Sequence, residues 1–144
     1  MGLGTDGAAS NNDLDMWEEI RLAAFIHKGI NHDARIMPAQ TVLGMATLSG
    51  AKAIGLGNEI GAITVGRRAD LIQISLTEPH LLPIYDIISH LAYVTDAQDV
   101  ISVIVDGKVL MREQEVLTID KNRVRKQARA IAAKIQEYLR KNNN

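Results

Sequence analysis

Residues 4–24, GTDGAASNNDLDMWEEIRLAA, carry a run of small and polar residues straight into a helical pattern, with no strand-like segment of their own before them. Asp6 sits in that run between Thr5 and Gly7, where the backbone turns tightly toward a capped helix. At the carboxyl end of a strand, an aspartate so placed can bind a metal and accept a proton from an attacking water, and the glycine beside it permits close approach. An aspartate that merely caps a turn explains the same residue without chemistry. Gly2, Gly4 and Gly7 satisfy the spacing G-x-G-x-x-G. The dinucleotide fingerprint also needs a preceding strand and an acidic residue at the end of the next strand, and neither is visible. A flexible loop of small residues fits that composition better.

Downstream, Met16, Ile20, Ala23 and Ala24 recur at helical spacing, which predicts a helix over 14–28 with Asn12 or Asp13 as N-cap and Gly29 just past its end. A second helix is expected from Pro38 through Val42, Met45, Ala46 and Ala53, where Gly44, Ala46, Ser49, Gly50 and Ala51 allow close packing. After Gly55 the pattern turns to short β-like runs: AITV (62–65), ADLIQISL (69–76), VISVIVDG (100–107) and KVLMREQEV (108–116). Asp106-Gly107 between two apolar runs signals a hairpin. PIYDIISHLAYV (83–94) reads equally as a short helix or a packed loop. The tail places Val124, Ala128, Ile131, Ile135 and Leu139 on one helical stripe behind an Asp120 cap, and the closing Asn142–Asn144 are expected to fray.

With 47% hydrophobic residues the chain has the makings of a packed core, yet only 3% are aromatic, so that core must rest on aliphatic side chains and calls for a neighbouring domain. Sixteen basic residues against seventeen acidic leave a net charge of -1, so no overall field draws the chain to nucleic acid or an anionic membrane. The absence of cysteine excludes disulfides and thiolate chemistry and fits a reducing compartment; the expected location is the cytoplasm. No apolar run of about 18 residues and no basic-then-apolar leader is present, so neither a membrane span nor a secretion signal is expected.

The string at 4–24 resembles the last-strand segment of metal-dependent amidohydrolases, the group of methylthioadenosine and S-adenosylhomocysteine deaminases and chlorotriazine hydrolases. LGMATLSGAKAIGLGNEIGAITVGRRADLIQI (43–74) is similar to that superfamily's helix and the turn-rich opening of its small β-sandwich, and VISVIVDGKVLM (100–111) to a later sandwich hairpin. The resemblance implies an α/β fragment. Residues 1–54 would be the end of a (β/α)8 TIM barrel with two helices, 55–119 the carboxy-terminal part of a β-sandwich, and 120–144 an amphipathic helix. It also implies hydrolysis of a C–N bond in the parent enzyme, deamination of an adenosine-like ring first and dechlorination of a triazine as the close alternative. The substrate would be a small molecule of purine nucleoside or triazine type.

In that parent, Asp6 would be catalytic, helping to hold zinc or iron and moving a proton from water to the leaving nitrogen. Ser10 and Asn11 follow it closely enough to line a substrate pocket, although helix capping or loop structure accounts for them equally well. The resemblance also implies a His-x-His pair and further histidines, and these are not found here: His27, His32, His80 and His90 match no such spacing and read as structural or surface residues. Asp6 alone cannot hold an ion that needs about three protein ligands, so this chain by itself is expected to bind no metal and to be inactive. It reads as a piece of a larger enzyme, or alternatively as an inactive remnant that serves as an assembly module. Strand edges left without partners are expected to drive formation of a homo-oligomer.

Overall fold

The computed structural model describes residues 1–142. Its first helix, α1 (Met16–Asn31), is capped by Asp15, whose carboxylate accepts the Trp17 N–H at 2.8 Å. Glu18 and Glu19 follow in the first turn, where the exposed N–H groups favour negative charge. The cap is therefore neither Asn12 nor Asp13; Asp13 acts one step upstream, accepting the Asp15 N–H at 2.9 Å. Nor does α1 stop at Gly29. His32 takes the left-handed conformation (φ 50°), and the N–H groups of His32 and Asp33 close back on the Gly29 and Lys28 carbonyls, a Schellman ending. The termination signal read at Gly29 falls short by three residues because His32 adopts the conformation reserved in the sequence pattern for glycine.

The expected second helix divides into α2 (Ala39–Ala46) and α3 (Leu48–Ala53), with Pro38 as N-cap and a break at Thr47 (φ -121°, ψ -102°). The Thr47 hydroxyl donates to the Leu43 carbonyl at 2.7 Å, and the Met45 carbonyl is taken by the Leu3 N–H at 3.1 Å. Gly61, at φ +83°, lies so close that a Cβ there would come within 2.8 Å of the Ala51 Cβ and 2.9 Å of the Leu48 Cα. A Cβ on Gly2 would lie 2.7 Å from the Gly50 Cα. The small residues of this segment thus do serve close packing, at Gly50 and Ala51, whereas Gly44 faces open space.

The segment read as helix or loop is α4 (Ile87–Tyr93), capped by Asp86, which accepts the Ser89 N–H at 2.6 Å. It packs with α1 and α2 around Ile20, Ala24, Ala39, Val42 and Ala92, joined by Leu3, Ile88 and Tyr93. The Trp17 indole N–H donates to the Leu91 carbonyl at 2.8 Å and ties α1 to α4.

Four strands, β1 (Leu71–Ile74), β2 (Val100–Val105), β3 (Lys108–Arg112) and β4 (Glu115–Val116), form one antiparallel sheet in chain order. The Asp106-Gly107 hairpin forms as expected, with φ of 51° and 75° at its two residues. A second turn at Glu113-Gln114 (φ 48° and 63°) divides the run 108–116, which the sequence presents as one strand because neither turn residue is glycine or asparagine. AITV is no strand: Ile63 and Val65 are 89% and 103% exposed. No strand precedes Asp6 among the described residues; Gly2–Thr5 is without a neighbouring strand to pair with, and a ladder needs two. The single sheet ends in edges of four and two residues.

The tail forms α5 (Lys121–Asn142), its first turn capped by Asp120, which accepts the Asn122 and Arg123 N–H groups. Asn142 belongs to this helix, while residues 143 and 144 lie outside the described residues. Among the described residues no helix is long and apolar enough to cross a membrane.

Two consequences are measurable. Val42 is fully buried, so Val42→Ala should cost about 2 kcal/mol in urea unfolding, against less than about 0.5 kcal/mol for Val65→Ala at an exposed site. The Asp86 carboxyl is held below its ordinary value of 3.8 by the Ser89 backbone N–H first and its hydroxyl second. A lowered native value means that this stabilisation is present above the unfolded value and lost as pH falls through the native one. Asp86→Asn, which keeps the cap, should flatten the acid limb of a Tm-against-pH curve below about pH 4.

Candidate active site

The loop that carries Asp6 is built from main-chain turns. Asp6 itself is left-handed (φ 56°), a conformation that aspartate tolerates better than most residues. Its carboxylate accepts the Gly7 N–H at 2.7 Å, and the Thr5 hydroxyl donates to its carbonyl at 3.2 Å. The N–H groups of Ser10 and Asn11 both reach the Gly7 carbonyl at 2.9 Å, folding the segment back on itself. Asp6 and Ser10 are exposed and Asn11 is half-buried.

Asn11 fastens this loop. Its side-chain N–H groups donate to the Thr5 carbonyl at 3.1 Å and to the Glu19 carboxylate of α1 at 2.9 Å. Both amide hydrogens are thereby engaged, and the loop is held between the stretch before Asp6 and the first turn of α1. Glu19 is the partner that reading the sequence did not single out. Its signal is faint, an acidic residue in a first turn where the helix dipole already explains it.

Leu3 fixes the other side of the loop. Its N–H bonds the Met45 carbonyl in the last turn of α2, and its side chain joins the helical cluster. Leu3 and Met16 also line an apolar groove of about 540 Å³ that continues over Gly50, Ile60 and Leu71. A larger cleft, about 830 Å³, lies on the sheet side between Ser75, Glu78, His80, Gln98, Asp99 and Glu113, and no residue of the Asp6 loop lines it.

The histidines take structural places. His32 ends α1, and His90 bonds the Leu81 carbonyl at 2.7 Å through Nε2. His80 pairs with Asp99 at 3.1 Å, and His27 is exposed. Asp99 is 2% exposed and also accepts the Asp96 N–H at 2.8 Å, while Asp96 is ion-paired with Arg21 of α1. Sequence reading passed over this network, although Asp96 and Asp99 have the spacing of a capping box.

A catalytic metal takes about three protein ligands. Asp6 offers one carboxylate, and no group of three or more His, Cys, Asp or Glu able to hold an ion occurs among the described residues. These residues alone do not fit a metal. What the loop can do by itself is present an exposed carboxylate on a backbone held from both sides.

The sequence pattern of the amidohydrolase family matches residues 1–110. The chain is 47% identical over 135 residues to a 5-methylthioadenosine/S-adenosylhomocysteine deaminase of Acetivibrio thermocellus, a match covering 94% of this chain and 31% of that protein. It superposes with a TM-score of 0.91 on a zinc-bound adenosine deaminase from Xanthomonas campestris, at 38% identity over 94% of this chain and 31% of the other. An atrazine chlorohydrolase from Arthrobacter aurescens in complex with zinc gives a TM-score of 0.79, at 27% identity over 90% of this chain and 29% of the other. The chain spans about a third of the length of the relatives it matches.

Freeing the loop should be visible without loss of the fold. Asn11→Ala should cost about 1 kcal/mol and speed amide exchange at Gly7 and Asn11 by tenfold or more, leaving exchange within α2 unchanged. Equal acceleration throughout the chain would show instead that Asn11 supports the fold as a whole.

Proposed function

The chain belongs to the amidohydrolase family, and from that premise we propose that it is the Asp6-bearing part of a hydrolase that cleaves a C–N bond, deaminating an adenosine-like ring. The observation that carries the reading is the Asp6 loop: an exposed carboxylate on a left-handed residue, with its backbone tied to α1 through Asn11 and to α2 through Leu3. A carboxylate held in this way can take a proton from water attacking the ring carbon and return it to the departing nitrogen, so that ammonia leaves and oxygen takes its place. Ser10 and Asn11 would border the substrate. Asn11 has its amide hydrogens committed to Thr5 and Glu19, so it would act on substrate by positioning the loop.

Deamination is favoured over dechlorination because the deaminase relatives are the more similar in sequence, 47% against 27% for the triazine enzyme. Zinc is favoured over iron for the whole protein, since both neighbouring structures hold zinc. Asp6 would give that ion one ligand and the others would come from outside residues 1–142. In this reading residues 1–54 complete the barrel, 55–119 contribute to the sandwich, and α5 behind Asp120 is a separate helix. A second reading, an assembly module without activity, is favoured by the exposure of the whole of α5.

An exchange experiment separates the two. This chain should replace the matching 31% of the Acetivibrio deaminase with methylthioadenosine deamination retained. Asp6→Asn in that hybrid should lower kcat by about a hundredfold or more, with Ser10→Ala costing less than tenfold. A well-folded hybrid that keeps its full activity after the Asp6→Asn change would sink the catalytic reading.

A further inference from the structure

Resting on the proton-transfer reading of Asp6 proposed above, we infer that Glu19 is a positioning residue for that carboxylate. It acts through Asn11, which fixes the peptide group from which Asp6 is presented.

The bonds of the loop are of two kinds. Those around Asp6 are local: the Gly7 N–H donates to the Asp6 carboxylate, the Thr5 hydroxyl donates to the Asp6 carbonyl, and the Ser10 and Asn11 N–H groups share the Gly7 carbonyl. They shape the turn but do not place it against a helix. The Asn11 side chain does, with one amide hydrogen on the Thr5 carbonyl at 3.1 Å and the other on Glu19 Oε1 at 2.9 Å. Among the described residues, the bond to Glu19 is the one hydrogen bond that joins residues 4–12 to a helix. The Thr5 carbonyl belongs to the planar peptide group that ends at the Asp6 nitrogen, so holding it sets the plane from which the left-handed Asp6 (φ 56°) departs.

Glu19 is itself a fixed point. It lies half-buried in the first turn of α1, beside Ile20 of the helical cluster. Trp17 donates to the Leu91 carbonyl at 2.8 Å, and Arg21 is paired with Asp96. Each of these two residues is two positions from Glu19, about 200° around the helix. Along one face α1 is therefore anchored to α4 and to the turn before β2, while from another it holds the Asp6 loop. Every partner in this relay belongs to the chain itself.

The chemistry of the brace gives it a direction. A backbone carbonyl and a carboxylate both only accept, so the Asn11 amide cannot turn over without setting oxygen against oxygen. A bond to a carboxylate is also stronger than one to a neutral oxygen. The helix dipole alone would favour an acid at Glu18 as much as at Glu19. Glu18 is exposed and its side chain makes no hydrogen bond among the described residues, which makes it the control for the dipole.

Two measurements test this. In the chain itself, Glu19→Ala should speed amide exchange at Gly7, Ser10 and Asn11 by about tenfold or more, with exchange within α2 unchanged, and Glu18→Ala should leave the loop as it is. In the hybrid with the Acetivibrio deaminase, Glu19→Ala should lower kcat for methylthioadenosine about tenfold with KM held within about threefold. Glu19→Gln, which keeps an acceptor oxygen, should recover most of that loss, and Glu18→Ala should cost nothing. When Asp6 is already Asn, Glu19→Ala should lower kcat no further, because a residue that acts through Asp6 then has nothing to position. Three results would overturn the inference: unchanged loop exchange in Glu19→Ala; full activity of that variant; or a loss by the same factor with and without Asp6→Asn, which marks Glu19 as a support of the fold. Each of these leaves the reading of Asp6 standing so long as Asp6→Asn alone lowers kcat, whereas an Asp6→Asn hybrid of full activity removes both.

Discussion

The Arg21 guanidinium reaches from the second turn of α1 to the Asp96 carboxylate, and that pair ties the helical half of the chain to the start of its sheet. Asp96 and Asp99 cap one another reciprocally across a short 3-10 turn, and β2 begins at the next residue, Val100. The Asp99 carbonyl accepts the Ser75 N–H at 2.8 Å, which sets the end of β1 beside it. A carboxylate as buried as that of Asp99 would be costly without partners. Its partners are His80 and the Asp96 backbone, so the desolvation is offset by bonds that also fix the turn. The order of dependence follows: α1 is positioned by its aliphatic face and by Trp17, the reciprocal caps of Asp96 and Asp99 form the turn at 96–99, the Arg21 pair ties that turn to α1, and the turn aligns β2 with β1.

Elements with a clear period or turn signal were readable from the residues alone. The first helix, the Asp106-Gly107 hairpin and the Asp120-capped tail follow from spacing and turn chemistry, and the family resemblance of residues 4–24 agrees with the match over 1–110. The failures share a cause. His32, Glu113 and Gln114 adopt left-handed backbone without being glycine or asparagine, so the end of α1 and the division between β3 and β4 left no local mark. The break at Thr47 is tertiary: it arises where the Leu3 N–H and the Gly61 backbone press on a segment that would otherwise continue as helix. AITV has the residue types of a strand but no neighbour to pair with.

The candidate residues stood out in the sequence; the way their loop is braced did not. Asp6 stood out by its flanking residues and by resemblance, but nothing in the order of residues announced that Asn11 would span Thr5 and Glu19, because both contacts depend on where α1 begins relative to the loop. That start is set by Asp15 and not by Asn12 or Asp13. Had Asn12 been the cap, Glu19 would lie deeper in the helix, away from the first turn. The two-to-three-residue displacement of the cap, minor as an error in secondary structure, is what puts Glu19 in the first turn, where Asn11 can reach it and brace the loop.

Glycine does related work on the far side of Asp6. Gly2 has no room for a Cβ against Gly50, and the contact brings Leu3 within reach of the Met45 carbonyl, which the Ser49 N–H would have claimed in an unbroken helix. The glycine spacing that suggests a phosphate loop is accounted for at Gly2 by this packing, while Gly4 and Gly7 face open space and leave the Asp6 backbone free to turn. The loop is thus set between a close backbone contact on one side and an amide brace on the other, and neither involves the Asp6 side chain beyond its bond to Gly7. One oxygen of that carboxylate makes the turn, and the loop's geometry is fixed, among the described residues, without any bond from the other.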